Sequence, residues 1–348
     1  MSVRYIPVGW NVNKLVYDAA LAVAVVAYLA IFLHVAQQSP PAPYDDATIR
    51  MRAYGSCAFV MLSLVLCIGP LARLDSQFLP LLYNRRHFGV ATFVVAATHA
   101  SFVLGWYFGF SSTDPYVALL TSNTSFGRIA GFPFELFGVA ALIVLFLLAA
   151  TSHDFWLSFL TPPLWKALHM AVYGAYACVV AHVALGALMA PALQPLAYVV
   201  VGCALVVATL HVLAARKQAA LDRPSPEEGG WIVVGPPERI AEGRAVVVPL
   251  AGAESVAVFR NAGKVSAIAN ACAHQNGPLG EGRIIDGCVT CPWHGFQYRL
   301  EDGCAPAPFT EKIATYNLRL RAGKIELDPR PNPPGCRAEP LDVKGAPT

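Results

Sequence analysis

Two short loops hold the residues best suited to chemistry: Cys272-x-His274 in CAHQNG and Cys291-x-x-His294 in CPWHG. Together they offer two thiolates and two imidazoles. That donor set suits a [2Fe-2S] cluster in which the cysteines hold one iron and the histidines the other. Tetrahedral zinc takes the same donors, but zinc motifs more often pair Cys with Cys and His with His. Here each loop supplies one of each and then a glycine, so the cluster is the expected occupant. Cys288 and Cys304 have no motif partner and read as structural.

A second set lies in apolar text, where an ionisable side chain is a functional candidate by default. His87 and His99 stand twelve residues apart in RRHFGVATFVVAATH, and His169 and His182 thirteen apart in WKALHMAVYGAYACVVAH. At about 1.5 Å per residue these offsets are roughly 18 and 20 Å, so the four fall at two matching depths, His87 with His169 and His99 with His182. At about 100° per residue the outer ligands turn by roughly +120° and −140°, which brings both to one side of a shared seam. Two stacked b-type hemes held by axial histidines fit that geometry. Histidines packed against backbone or against each other are the bland alternative, which the matched depths disfavour. His34, His153 and His211 lie near span ends and read as interfacial, with His211 a candidate contact for the inner heme. Arg85 and Arg86 read as topology determinants with a secondary role toward heme propionates, a flavin or a quinone.

The elements that must position these residues are of two kinds. Apolar residues make up 56% of the 348-residue chain, charged residues 14%, and mean hydropathy is +0.50, too apolar for a purely soluble protein. The net charge of +3 is small and scattered, which excludes a nucleic-acid binder. Six segments, near 15–36, 53–72, 87–108, 133–152, 165–189 and 195–214, meet the length of about 20 apolar residues that crosses a bilayer. The first reads as an uncleaved span, because no A-x-A-like site follows it. Six crossings put both termini on one side. Arg4, Lys14, Arg73, Arg85, Arg86, Lys166, Arg216 and Lys217 lie at one set of ends, and only Arg50, Arg52 and Arg128 at the other. The positive-inside rule then makes both termini cytoplasmic, in a bacterial-type inner membrane. Cys57, Cys67, Cys178 and Cys203 sit singly in apolar runs and read as small hydrophobes.

The expected organisation is a membrane all-α six-helix heme-binding bundle over 1–213, a linker over 214–230 in ARKQAALDRPSPEEGG, a small all-β domain over 231–328, and a disordered tail over 329–348. In the β domain, runs such as AVVVPL, SVAVF and KVSAIAN are separated by turn signals, with RNAGK and LRLRAGKIELD in hairpin form. The tail PRPNPPGCRAEPLDVKGAPT has too little apolar content to fold alone.

Two resemblances follow from these motifs. CAHQNG and CPWHG resemble the ligand loops of Rieske domains, over roughly residues 231–328. Rieske proteins of cytochrome bc complexes carry an extra cysteine in each loop and a serine near the cluster. Here Gly277, Trp293 and Phe296 stand at those places. The resemblance is therefore closer to Rieske ferredoxins and oxygenase Rieske domains. It implies no disulfide, which suits a reducing compartment, and a potential toward the low end of the roughly −150 to +300 mV Rieske range, with Tyr298 as a tuning residue. The text around the four histidines resembles the ferric-reductase-like transmembrane family, which includes the heme subunit of methionine sulfoxide repair systems and the membrane part of NADPH oxidases. That resemblance implies His99, His169 and His182 as heme ligands; the spacing from His87 to His99 is shorter than in two-heme members, so one heme or two are both open.

The expected function is electron transfer across the membrane, from the cytoplasmic cluster through heme to an acceptor at the outer face such as ferric iron, oxygen or a periplasmic partner. No G-x-G-x-x-G follows a strand, so the donor is expected to be another molecule: a reductase, a ferredoxin or a quinol. No catalytic residue beyond the ligands is expected. A Rieske oxygenase in this one chain is disfavoured, because the 54 residues after His294 hold no histidine for a 2-His-1-carboxylate iron site. A membrane-anchored ferredoxin that donates to a separate oxygenase or exchanges with quinone is the alternative, and a redox sensor is a third reading.

Overall fold

The computed structural model describes residues 12–343, apart from 39–44, 83, 111, 153–155, 157–159, 161, 191–195, 222–226, 229, 252, 275–276 and 293–294. Two compact units emerge, Trp10–Val212 and a second that includes Leu213–Thr348.

The helical unit contains α1 Val12–Gln38, α2 Asp46–Leu74, α3 Arg85–Phe110, α4 Pro115–Thr121, α5 Glu135–Ala150, α6 Pro162–His169, α7 Val172–Leu185 and the start of α8 Leu196–Leu221. Five helical stretches among the described residues are long and apolar enough to cross a membrane, with α6 and α7 counted together as Leu164–Met189. The expectation of six full-length spans meets a difference at α5. Its 16 residues span about 24 Å, short of the roughly 30 Å hydrocarbon core. The fifth expected span is also not one regular helix: Ala171 bonds back to Leu168 and Tyr173 to Met170, a local tightening between α6 and α7.

Burial ranks the helices. The apolar window of α2 is 61% buried and that of α1 is 0% buried, so α2 is the packed centre, while α1 covers it from outside with Leu21, Val25, Tyr28 and Leu29 partly buried against Cys57 and Met61. Phe59, Leu62 and Leu66 of α2 meet Ala141 and Leu145 of α5 and Ala175 and Tyr176 of α7 in the main core. Cys57 and Cys67 are buried free thiols, and Cys178 and Cys203 pack against the same core.

The helical pattern does not stop at residue 213. α8 continues to Leu221, because AARKQAAL is built almost wholly of strong helix formers, and the expected linker is correspondingly shorter.

The β unit consists of β1 Trp231–Gly235, β2 Ala245–Val248, β3 Val256–Asn261, β4 Lys264–Ala269, β5 Arg283–Ile285, β6 Cys288–Thr290, β7 Gln297–Arg299, β8 Thr315–Tyr316, β9 Leu318–Arg321, β10 Lys324–Leu327 and β11 Leu341–Asp342. One sheet carries the order β11-β4-β3-β2 with β8 on β4, a second pairs β1-β10-β9 with the short segment Glu227–Glu228, inside the expected linker, antiparallel on the outer edge of β1, and a third is β5-β6-β7. Both expected hairpins form. Ala262-Gly263 and Ala322-Gly323 take positive φ at consecutive positions, the requirement of a tight two-residue hairpin turn. Val256, Val258, Phe259, Val265 and Ile268 are fully buried between the sheets.

The expectation of a disordered tail is corrected. Residues 329–343 close the β unit: β11 pairs with β4, Val343 N–H bonds to Gly263 O, and the Thr315 hydroxyl donates to Cys336 O. The segment cannot fold alone, but it adds an edge strand and buries Ala338 and Val343 on a core built by others.

Candidate metal centres

The first centre lies at one end of the β unit, on the two loops that follow β4 and β6. Each loop is closed by backbone hydrogen bonds. Cys272 N–H bonds to Gly277 O at 2.9 Å; Cys291 N–H bonds to Phe296 O, and Gly295 N–H to Cys291 O, both at 2.8 Å. Gly295 has φ +67°, which explains the glycine directly after His294. Cys272 and Cys291 are 1% and 2% exposed, so both sulfurs face inward. They sit within hydrogen-bonding reach of each other.

That proximity shows in the acidity of Cys272. Its thiol is pulled down to about 6, first by the hydrogen bond from Cys291 and then by Tyr298 and the His274 backbone N–H, against the upward push of burial. Tyr298 hydroxyl stands 3.5 Å from Cys272 Sγ and is fully buried. Its own acidity is suppressed, first by burial and then by Cys272. His274 stacks on Phe296 at 5.1 Å and 11°, and Phe309 meets Phe296 edge-on at 4.9 Å. The structure thus brings three of the four expected ligands to one end of the unit; His294 and Trp293 lie outside the described residues. Among the described residues no group of three or more donors is arranged as a metal site.

The second centre lies in the helical unit. The rings of His99 on α3 and His182 on α7 stand 6.4 Å apart, centre to centre, at 80° to one another. Nδ1 of His99 donates to Met51 O at 2.8 Å, and Nδ1 of His182 to Phe134 O at 3.0 Å. With Nδ1 committed in each, Nε2 is the nitrogen that can take a metal. These two Nε2 atoms are the ones that would hold a metal between α3 and α7. Two glycines make the approach feasible. A Cβ on Gly55 would fall 2.9 Å from the His99 ring, and one on Gly138 would fall 2.8 Å from Nδ1 of His182.

The remaining histidines divide. His169 bonds Trp165 O through Nδ1, stacks on the Trp165 ring at 3.7 Å, and has Nε2 buried with no hydrogen-bond partner among the described residues. His87 bonds Asp18 Oδ2 through Nδ1 at 2.7 Å, a partner on α1 that spacing alone did not show. His211 spends both nitrogens, Nδ1 on Val207 O and Nε2 on the Tyr173 hydroxyl, and so offers an iron none, whereas His34 Nε2 meets Gln38. His153 lies outside the described residues.

Comparison with known proteins separates the same two parts of the chain. The anthranilate 1,2-dioxygenase ferredoxin subunit of Burkholderia cepacia is 35% identical over 80 residues, 23% of this chain and 74% of that protein. Residues 230–317 match the Rieske [2Fe-2S] domain, and residues 54–180 match the ferric reductase like transmembrane component. The chain is a ferric-reductase-like transmembrane component fused to a Rieske domain.

The Rieske domain also resembles part of a cholesterol 7-desaturase of Ciona intestinalis, 32% identical over 103 residues, of which the chain covers only 22%. A solved Sphingomonas yanoikuyae B1 ferredoxin matches at 26% identity, covering 29% of this chain and 99% of that one, with a TM-score of 0.27. The combination is that of an electron-transfer oxidoreductase. In the Rieske domain, buried Cys272 and Cys291 with a depressed thiol fit a cluster that demands thiolates. In the transmembrane component, the paired rings and the glycine gaps would suit a heme held by His99 and His182. Sequence reading missed Gly55, Gly138, Glu135, Phe309 and Asp18, all of which act through tertiary approach and carry no local signature.

Proposed function

We propose that this protein transfers electrons across a membrane between a Rieske [2Fe-2S] cluster and b-type heme. Cys272, His274, Cys291 and His294 hold the cluster, and His99 and His182 hold a heme between α3 and α7. Cluster and heme each take up and release one electron when bound. The protein's own part is to fix the ligands: Met51 O and Phe134 O set the imidazole tautomers, and Tyr298 donates to the Cys272 sulfur. The observation that carries the reading is the 6.4 Å spacing of two imidazoles whose Nδ1 atoms are both already spent.

A second heme between His87 and His169 is a further reading, favoured by the same use of Nδ1 in both rings. Six crossings, with the short α5 accommodated by local thinning of the bilayer, keep both termini and the Rieske domain in the cytoplasm under the basic-residue bias. The site is then a bacterial-type inner membrane. The donor is a cytoplasmic reductase, a ferredoxin or a quinol, and the acceptor lies at the outer face. A flavin or quinone beside Arg85 and Arg86 belongs to the same proposal. Similarity to a dioxygenase ferredoxin subunit supports the alternative, a membrane-anchored ferredoxin serving a separate oxygenase.

The test is a dithionite-reduced minus oxidised optical spectrum of the purified protein, with heme and iron counted per chain and EPR of the reduced cluster. Paired b-type bands with a Rieske signal support the conductor, and the heme count separates one heme from two. A Rieske signal without heme refutes the conductor and leaves the anchored ferredoxin.

A further inference from the structure

Glu135 is an acid that the electron-transfer reading does not use. It is only 5% exposed, at the first position of α5. Oε1 accepts from Asn123 Nδ2 at 2.6 Å, from Ser122 Oγ at 3.2 Å and from the Tyr107 hydroxyl at 3.4 Å. Oε2 is buried and has no hydrogen-bond partner among the described residues. A carboxylate at a helix N-terminus is favoured by the helix dipole. That preference needs no burial, and it does not explain donors arriving from two other segments.

The connections explain it better. Tyr107 belongs to α3, the helix that carries His99, and Ser122 and Asn123 follow α4. Phe134, the residue before Glu135, supplies the carbonyl that accepts from Nδ1 of His182. The Phe134 ring also packs where a Cβ on Gly186 would stand, 2.6 Å away, at the end of the His182 helix. A continuous path therefore runs from the His99 helix through Tyr107, Glu135 and Phe134 to His182.

We infer that Glu135 is a positioning residue for the His99–His182 pair: its carboxylate locks the start of α5, and with it the Phe134 carbonyl, at the distance that keeps both imidazoles on one iron. The inference rests on the heme placement proposed above. The carboxylate has a second effect. An ionised carboxylate beside His182 would favour the more positive, oxidised state of a heme held there and so lower its potential.

The experiment compares full-length wild type, Glu135→Ala, Glu135→Gln and Asn123→Ala in detergent by heme content, optical and EPR spin state, and equilibrium redox titration. Glu135→Ala is expected to lose the six-coordinate low-spin signature in most of the bound heme. Glu135→Gln keeps an acceptor oxygen for its three donors, so it retains the low-spin spectrum while the midpoint moves upward. Asn123→Ala removes the shortest donor from a loop and moves the spin state in the same direction as Glu135→Ala, which keeps the inference testable if that variant fails to accumulate. Wild-type spin state in both Glu135→Ala and Asn123→Ala overturns the positioning role, and an unchanged midpoint in Glu135→Gln overturns the electrostatic one. Absence of heme from the wild type is a different result, since it overturns the heme placement itself.

Discussion

Gly138→Ala is the sharpest test of the heme placement. The added Cβ would stand 2.8 Å from Nδ1 and 2.9 Å from Cε1 of His182, whereas ordinary contact begins near 3.4 Å, so the ring must retreat by about 0.6 Å. Gly138 lies one turn after Phe134 on α5, and retreat from one is retreat from the other. The 3.0 Å bond from Nδ1 to Phe134 O then stretches to about 3.6 Å, beyond a useful hydrogen bond. Overpacking costs about 1–3 kcal/mol and the lost bond about 1 kcal/mol more. A metal held at Nε2 would not tolerate such a displacement, so Gly138→Ala is expected to bind less heme or to bind it without His182. The assay is heme per chain by pyridine hemochromogen, with the spin state read from the optical spectrum. Gly174→Ala, in the same helix as His182 with nothing within 4 Å of its added Cβ, is the control and should bind as the wild type does. Gly138→Ala with full heme and an unshifted low-spin spectrum would refute the placement of His182 against α5.

Three further outcomes are expected. Tyr298→Phe removes the hydroxyl 3.5 Å from Cys272 Sγ, a bond worth about 1 kcal/mol to the reduced cluster, so the Rieske midpoint should fall by roughly 40 mV in an EPR-monitored titration. Deletion of residues 329–348 removes β11 and the Thr315–Cys336 bond, and it should lower the thermal midpoint of Rieske EPR signal loss, where a disordered tail would leave that midpoint unmoved. Asp302 is held below the usual carboxylate range, first by its paired hydrogen bonds from Arg299, so its contribution is present above its unfolded value near 4 and disappears as pH falls through the folded one. Asp302→Asn should therefore cost about 1 kcal/mol at neutral pH, a modest figure because Arg299 is half exposed, and the difference should close in strong acid when denaturation is followed against pH.

What could be read in advance depended on how local the signal was. The candidate cluster ligands stand out in the sequence because Cys272, His274, Cys291 and His294 come as two tight loops, and the fold brings the two cysteines together. The membrane histidines are legible in part: offsets of twelve and thirteen residues pair them by depth, and His99 does meet His182. A fixed angle per residue does not carry from His169 to His182, because α6 and α7 meet at a tightened turn. Gly55 and Gly138 were silent because a glycine in an apolar helix marks a close approach only once the neighbour is known. Residues 329–343 were misread because composition measures whether a segment can make a core, not whether it can borrow one; Val343 is buried on strands built some eighty residues earlier.

The same distinction bears on which part of this molecule is hardest to change. The Rieske ligands are held by loop-closing bonds within their own few residues, such as Cys291 to Phe296 and Cys272 to Gly277. Substitutions elsewhere in the β unit should spare them so long as the sheets form. His99 and His182 have no such local frame. Their tautomers are set by Met51 O and Phe134 O on other helices, and their rings fit only because residues 55 and 138 are glycine. The pair is thus a property of α2, α3, α5 and α7 taken together, and a small shift of any one would move the two rings relative to each other. Mutations that abolish heme while leaving the Rieske EPR signal intact should therefore scatter across those four helices, whereas mutations with the reverse effect should cluster in the two ligand loops and the side chains packed on them.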